Sequence, residues 1–275
     1  MLEATLLALG SAALHAAWNL LIKTSDERFL AAWGQFLVGG LLFLPVLVVV
    51  GPPGMEVLPL IVASSLVHVV YVSALVRAYH HGDFSFAYPL ARGGGALLAA
   101  IGGVLFLSDV LSTGEWVAIG IVVVGLISLV RPGVSTIALA WAALTALTIG
   151  VYTTLDIDGA RRSTGIGYGV TLVFAIAITV SVAGLAVGRG RAFVSSIPGS
   201  WRRYVLGGIL STVAYCMVLV AGRVAPVGYV AALRESSVVL GALGGWLLLH
   251  EPIGRVRLTS SVVVATGLGL LVVLH

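Results

Sequence analysis

Apolar runs long enough to cross a lipid bilayer recur along this chain, and little lies between them. A bilayer core about 30 Å thick takes roughly 20 residues of helix. Ten such runs fall at 2–22, 30–50, 57–79, 84–107, 113–130, 135–155, 166–187, 203–222, 227–249 and 256–274. Turn-forming residues separate several of them: Gly51-Pro52-Pro53-Gly54, Arg131-Pro132-Gly133, Pro198-Gly199 and Pro226. Outer-membrane strands alternate apolar and polar residues in units of about ten, whereas these runs are apolar throughout. Only 9% of the residues are charged and the mean hydropathy is +1.12. A soluble domain carries about 25% charge, so a water-soluble globular enzyme is excluded. The 35 glycines suit closely packed membrane helices. The expected fold class is an all-α polytopic membrane protein with ten transmembrane helices.

Sliding the chain along itself by 142 residues brings Arg92 onto Arg234 and Gly102-Gly103 onto Gly244-Gly245. In the same register Leu98 and Ala100 meet Leu240 and Ala242, Asp109 meets Glu251, and Gly125-Leu126 meets Gly267-Leu268. The fronts of the halves match more faintly, Ala12-Ala13-Leu14 with Ala142-Ala143-Leu144. Residues 1–132 and 133–275 thus read as two five-helix repeats in one integral membrane domain. Five is odd, so the second repeat enters the membrane from the opposite side. Inverted repeats of this kind build many secondary transporters, with the substrate near the midplane where the halves meet. Both termini fall on one side of the membrane. Lysine and arginine concentrate in the odd-numbered loops, which the positive-inside rule places in the cytoplasm. The first segment lacks a basic leading region and a cleavage site, so it reads as a retained helix.

The polar residues inside the spans are the candidates for chemistry. A charge at the bilayer centre costs about 2.5–3.5 kcal/mol even on a lenient scale. Arg92 and Arg234 lie at equivalent depths, too far from helix ends to reach water comfortably. An arginine fork suits a carboxylate, phosphate or phosphonate. An internal ion pair of either arginine with Glu235 is the structural alternative. Pro89, followed by Gly93, Gly94 and Gly95, suggests a kinked helix lining a cavity or, equally, one that packs closely. His15, Trp18 and Asn19 share one face of the first helix. His68 and Tyr71, then Tyr152 and Asp156, repeat helical spacings, and Tyr88 and Tyr215 complete the candidate substrate contacts. Tyr229 fits an interfacial belt as well as a ligand contact. His15, Glu235 and Asp156 are candidates for coupling or gating, with His68 a further titratable group. The single cysteine, Cys216, excludes a disulfide and a thiolate metal cage. No cofactor and no metal are expected.

Ten short-looped helices in a 5+5 repeat resemble the EamA-type branch of the drug/metabolite transporter superfamily. The strings that carry the resemblance are Leu249-His250-Glu251-Pro252-Ile253 before the last helix and its degenerate copy Leu107-Ser108-Asp109-Val110-Leu111. His15-Ala16-Ala17-Trp18-Asn19 and Tyr88-Pro89-Leu90-Ala91-Arg92-Gly93 resemble a subgroup associated with phosphonate use. The resemblance implies export or exchange of small metabolites across the cytoplasmic membrane. The expected function is a secondary transporter for a small anionic or zwitterionic metabolite, such as an amino acid or organophosphonate. It works by alternating access, coupled to protons or by exchange. A flippase for a phosphate-bearing lipid headgroup is the alternative. The expected partners are a small-molecule substrate and the lipid bilayer, not nucleic acid, with the chain a monomer or homodimer. An intramembrane enzyme is disfavoured because H-E-x-x-H, paired midspan aspartates and a serine–lysine dyad are all missing.

Overall fold

The structure, a computed structural model, describes residues 1–81, 84–129, 135–240 and 255–274. The repeat matches between 241 and 254, including Gly244-Gly245 and the string around Glu251, lie outside the described residues, as does the Tyr88 side chain. All regular structure among the described residues is helical. The helices are α1 (Leu2–Lys23), α2 (Arg28–Phe43), α3 (Val46–Val50), α4 (Leu58–His81), α5 (Phe84–Phe106) and α6 (Thr113–Ile127). They continue with α7 (Thr136–Arg161), α8 (Gly167–Ala186), α9 (Gly190–Val224), α10 (Val227–Arg234), α11 (236–240) and α12 (Arg255–Leu274). Among the described residues five stretches are long and apolar enough to cross a membrane: Leu2–Ile22, Met55–Ala78, Thr136–Arg161, Gly167–Ala186 and Gly190–Val224. Arg28–Phe43, Leu90–Phe106, Thr113–Ile127 and Leu258–Leu274 are apolar but shorter. Large apolar side chains such as Leu6, Leu66, Leu105, Val182 and Val262 face outward. A soluble monomer rarely exposes so much of this surface, and the architecture is consistent with a membrane protein.

Three departures from the expected helix limits have local causes. The run 30–50 is two helices, because Pro45 has no N–H for the Leu41 carbonyl. Leu44 N turns to Leu41 O at 3.3 Å and Leu47 N to Leu44 O at 3.0 Å, and the axis breaks there. Pro198-Gly199, expected in a loop, lies inside the 35-residue α9. Packing holds that segment in line: Phe193 stacks on Trp33 of α2 with centroids 4.2 Å apart, and Ser196 Oγ lies 2.7 Å from the Tyr204 hydroxyl. The run 227–249 stops at Arg234. Glu235 N bonds Ala232 O at 2.9 Å and Val238 N bonds Glu235 O at 2.9 Å, tightening the chain into a turn before α11.

Helix pairs cross antiparallel along the core. In α6 and α12, a methyl group at Gly125 would lie 2.8 Å from Val264 Cγ2, and one at Gly267 would lie 2.8 Å from Val122 Cγ2. Ser128 and Ser260 hydroxyls meet at 2.8 Å in the same crossing. Trp33 of α2 packs on Gly184 of α8 and Gly40 on Ala177, again antiparallel. Gly103 and Ala100 of α5 face Val227 and Gly228 of α10 in reverse order. A close backbone approach joins α2 to α9, where a Cβ on Gly208 would stand 2.7 Å from Gly39 N. Gly208→Ala should therefore lower stability by about 1–3 kcal/mol through overpacking. Gly120→Ala, which faces open space, should stay within about 0.5 kcal/mol of the parent. Thermal unfolding in detergent compares the two.

Candidate functional site

Four buried charged groups meet near the middle of the bundle. Arg92 is 5% exposed, Arg234 6%, Glu235 2% and Asp156 not at all. Their helices approach one another because small residues line the contacts. Methyl groups at Gly93, Gly94 and Gly95 of α5 would lie 3.2 Å from Leu126, 2.9 Å from Ala146 and 2.5 Å from Ile149. These three glycines thus serve close packing on α6 and α7, and α5 runs as unbroken helix through Pro89.

The two arginines, equivalent in sequence, differ in their surroundings. Arg92 is paired with Glu235: Nη2 donates to Oε1 at 2.7 Å and Nε to Oε2 at 3.2 Å. The fork is bidentate and ties α5 to the turn after α10. Such pairs are the stronger kind of hydrogen bond. Arg234 makes no hydrogen bond and no ion pair among the described residues, and its Nε is buried without a partner. Its guanidinium carbon lies 6.0 Å from the centre of the Tyr215 ring. A shift of 142 residues sets Gly93 against Glu235.

An aromatic cluster surrounds this charge. His68 and Tyr152 rings are 4.1 Å apart, Tyr71 and Tyr152 5.5 Å, and His68 and Tyr215 6.3 Å. His68 Nδ1 donates to the Ser64 carbonyl at 2.9 Å, one turn back on α4. Tyr215 donates its hydroxyl to Asp156 Oδ2. Asp156 Oδ1 is buried without a hydrogen bond, with the Ser64 and Tyr168 hydroxyls close to the same carboxyl group. Both arginines lie within electrostatic reach of His15, Tyr71 and Tyr152.

Of the residues singled out by sequence, Arg92, Arg234, Glu235, His15, His68, Tyr71, Tyr152, Tyr215 and Asp156 converge from α1, α4, α5, α7, α9 and α10. Trp18 packs edge-on against His15 with centroids 4.6 Å apart. Asn19 turns its amide nitrogen to the His15 carbonyl at 2.8 Å and so caps its own helix locally. Tyr229 is buried rather than interfacial, with its hydroxyl 2.7 Å from Thr5 Oγ1. Two groups escaped sequence reading. Ser64 touches both His68 and the Asp156 neighbourhood, but serine is too common in apolar helices to stand out. Asp109 and Arg161 form a knot at one end of the bundle. Arg161 Nη1 pairs with Asp109 Oδ1 at 2.7 Å, and its Nε and Nη2 donate to the Gly222 and Ala225 carbonyls at 2.8 and 3.0 Å. Asp109 Oδ2 accepts from Val227 N at 2.6 Å, satisfying an orphan donor at the start of α10.

No family model matches the sequence, and no curated protein matches it. A solved structure, described only as a crystal structure of a protein, superposes with a TM-score of 0.77 at 17% sequence identity. The alignment covers 98% of this chain and 96% of that one. The likeness is one of fold.

The ion pair at the centre makes an energetic prediction. Arg92→Leu strands the buried Glu235 carboxylate and should cost about 3–5 kcal/mol, whereas Arg92→Leu combined with Glu235→Leu should recover most of that loss. Melting temperatures of the single and double variants in detergent provide the check.

Proposed function

We propose that this chain is a secondary transporter of the cytoplasmic membrane that moves a small anionic or zwitterionic metabolite. It has ten transmembrane helices in two inverted repeats and belongs with the EamA-type transporters it resembles. The observation that carries the reading is Arg234, a buried guanidinium among aromatic rings with no ion pair or hydrogen bond among the described residues. A buried guanidinium whose donors find no acceptor is costly, so Arg234 favours a ligand that brings an anionic acceptor to it. The guanidinium offers two parallel donors to a carboxylate or phosphonate. Tyr71, Tyr152 and Tyr215 provide faces and hydroxyls for the rest of the molecule.

Packing supports the inverted repeat. The contacts Gly125–Val264 and Gly267–Val122 exchange with each other when 142 is added to one member and subtracted from the other. Helices that the repeat makes equivalent, α6 with α12, α5 with α10 and α2 with α8, cross antiparallel, as repeats of opposite orientation require. The two ends also differ. Ser25, Glu27, Val76, His80 and Arg189 line an open crevice at one end. Because α5 begins three residues after α4 ends, its far end, with the Asp109–Arg161 knot, lies at the other. The first end carries the exposed Arg189–Glu27 pair at 2.7 Å and the other the Asp109–Arg161 knot, so alternating access would part an ion pair at either end.

A thermal-shift screen of purified protein against amino acids, phosphonates, sugar phosphates and inorganic phosphate tests the reading. An anion near 100 times its Kd stabilises its receptor by about 2.7 kcal/mol. Arg234→Gln should melt at or above the parent in the absence of anion, lose that stabilisation and fail to take up the same anion in proteoliposomes. Equal stabilisation of parent and variant by every anion overturns the assignment.

A further inference from the structure

The charged side chains buried among the described residues are Arg92, Glu115, Asp156, Arg234 and Glu235. Glu115 closes a capping box with Ser112 at the start of α6, away from the centre. Two guanidinium groups and two carboxylates remain, and their formal charges cancel. The cancellation is uneven in space. Arg92 and Glu235 satisfy each other, whereas Arg234 and Asp156 are separated by Tyr215. That tyrosine gives its hydroxyl to Asp156 Oδ2 and turns its ring toward Arg234. Asp156 Oδ1 is left empty.

The groups facing Asp156 are few. From α4 come Ser64 and, one turn on, His68, whose Nδ1 is engaged by the Ser64 carbonyl. From α8 comes Tyr168 and from α9 Tyr215. Tyr152 lies one turn back on α7 itself. Asp158 on the same helix is held by both arms of Arg162, at 2.9 and 2.7 Å. This stretch of α7 meets α5 at Leu98, Ala99 and Gly102, none of them titratable. The charge beyond Tyr215 is Arg234 of α10.

A monoanion seated on Arg234 would tip this balanced centre to a net negative charge in a medium where unbalanced charge is expensive. A second negative charge near a carboxylate favours the protonated carboxyl. We propose that Asp156 is the proton-binding site of the transporter, taking one proton onto Oδ1 as a monoanion occupies Arg234, so that anion and proton cross together. The proton comes from water on the side open at that moment and returns to water on the other side when the anion leaves. Tyr215 keeps its hydrogen bond to Oδ2 throughout. The proposal rests on the anion reading of Arg234.

Calorimetric titration in two buffers of different ionisation enthalpy counts the protons taken up on binding. The probes are benzoate, L-lactate, methylphosphonate and inorganic phosphate, applied to the parent and to Asp156→Asn. The asparagine carbonyl still accepts from Tyr215 and mimics the protonated acid. The parent should take up about one proton more per bound anion than the variant, with the anion still bound by both. Equal uptake by the two proteins overturns the role of Asp156 and leaves the anion site standing. If none of the four anions binds the parent, the anion reading fails and the coupling with it. Infrared difference spectra of the parent give a readout independent of the asparagine variant. Anion binding should produce one protonated-carboxyl band that persists in Glu235→Gln. Absence of the band, or its loss in Glu235→Gln, overturns the proposal even where Asp156→Asn does not fold.

Discussion

The fork of hydrogen bonds between Arg92 and Glu235 joins α5 to the point where α10 stops, and the centre of the molecule is arranged around that bond. In a low-dielectric interior a lone charge is far more expensive than a paired one. The pair can form because the backbone departs from helix at Glu235. Consecutive residues on a helix point about 100° apart, and the tightened turn after Arg234 lets its neighbour reach across to α5. Arg234 itself stays with the aromatic cluster. One break in one helix thus sends two adjacent charged side chains to two different tasks.

Under the repeat reading, the difference between those tasks comes from an inequality of the two halves. Gly93 occupies the position that corresponds to Glu235, and it is spent on packing against Leu126. Had that position been acidic, both arginines could have been neutralised within the protein and the centre would have no call for an external anion. On the same reading, a two-fold relation that holds for the Gly125–Val264 and Gly267–Val122 contacts fails at Gly93 and Glu235. The acid within electrostatic reach of Arg234 is Glu235, whose oxygens are already bonded to Arg92, and Tyr215 turns its ring to Arg234.

Charge scarcity is the reason so much of this site was legible in the sequence. With 9% charged residues, any arginine, glutamate or aspartate inside an apolar run stands out, and Arg92, Arg234, Glu235 and Asp156 all came forward on that ground. Partnership was not legible, because whether Glu235 serves Arg92 or Arg234 depends on where α10 ends. An apolar run looks the same whether its backbone is continuous, as in α9 through Pro198, or broken, as at Pro45. Proline removes one hydrogen bond in both cases. Stacking of Phe193 and Tyr204 with Trp33 decides the first, and nothing comparable holds the second straight. The Asp109–Arg161 knot was hidden for another reason. Each residue looked like an ordinary helix-end charge until the fold brought 109, 161, 222, 225 and 227 together.

The two ion pairs are unequal in what breaking them entails. The Arg161 side chain is 23% exposed and that of Asp109 7%, so the guanidinium can turn to water while the carboxylate keeps its bond to Val227 N. Arg92 and Glu235 have no such exchange open to them, since both are buried and separation leaves two bare charges. Under the transport reading, a movement that opens the tied end parts Asp109 from Arg161 and so frees the end of α7 from α5, while Asp109 still holds the start of α10 through Val227 N. The Arg92–Glu235 fork stays closed and acts as the pivot about which the halves turn. On that reading the buried pair is the part that holds and Arg234 is the seat of the anion.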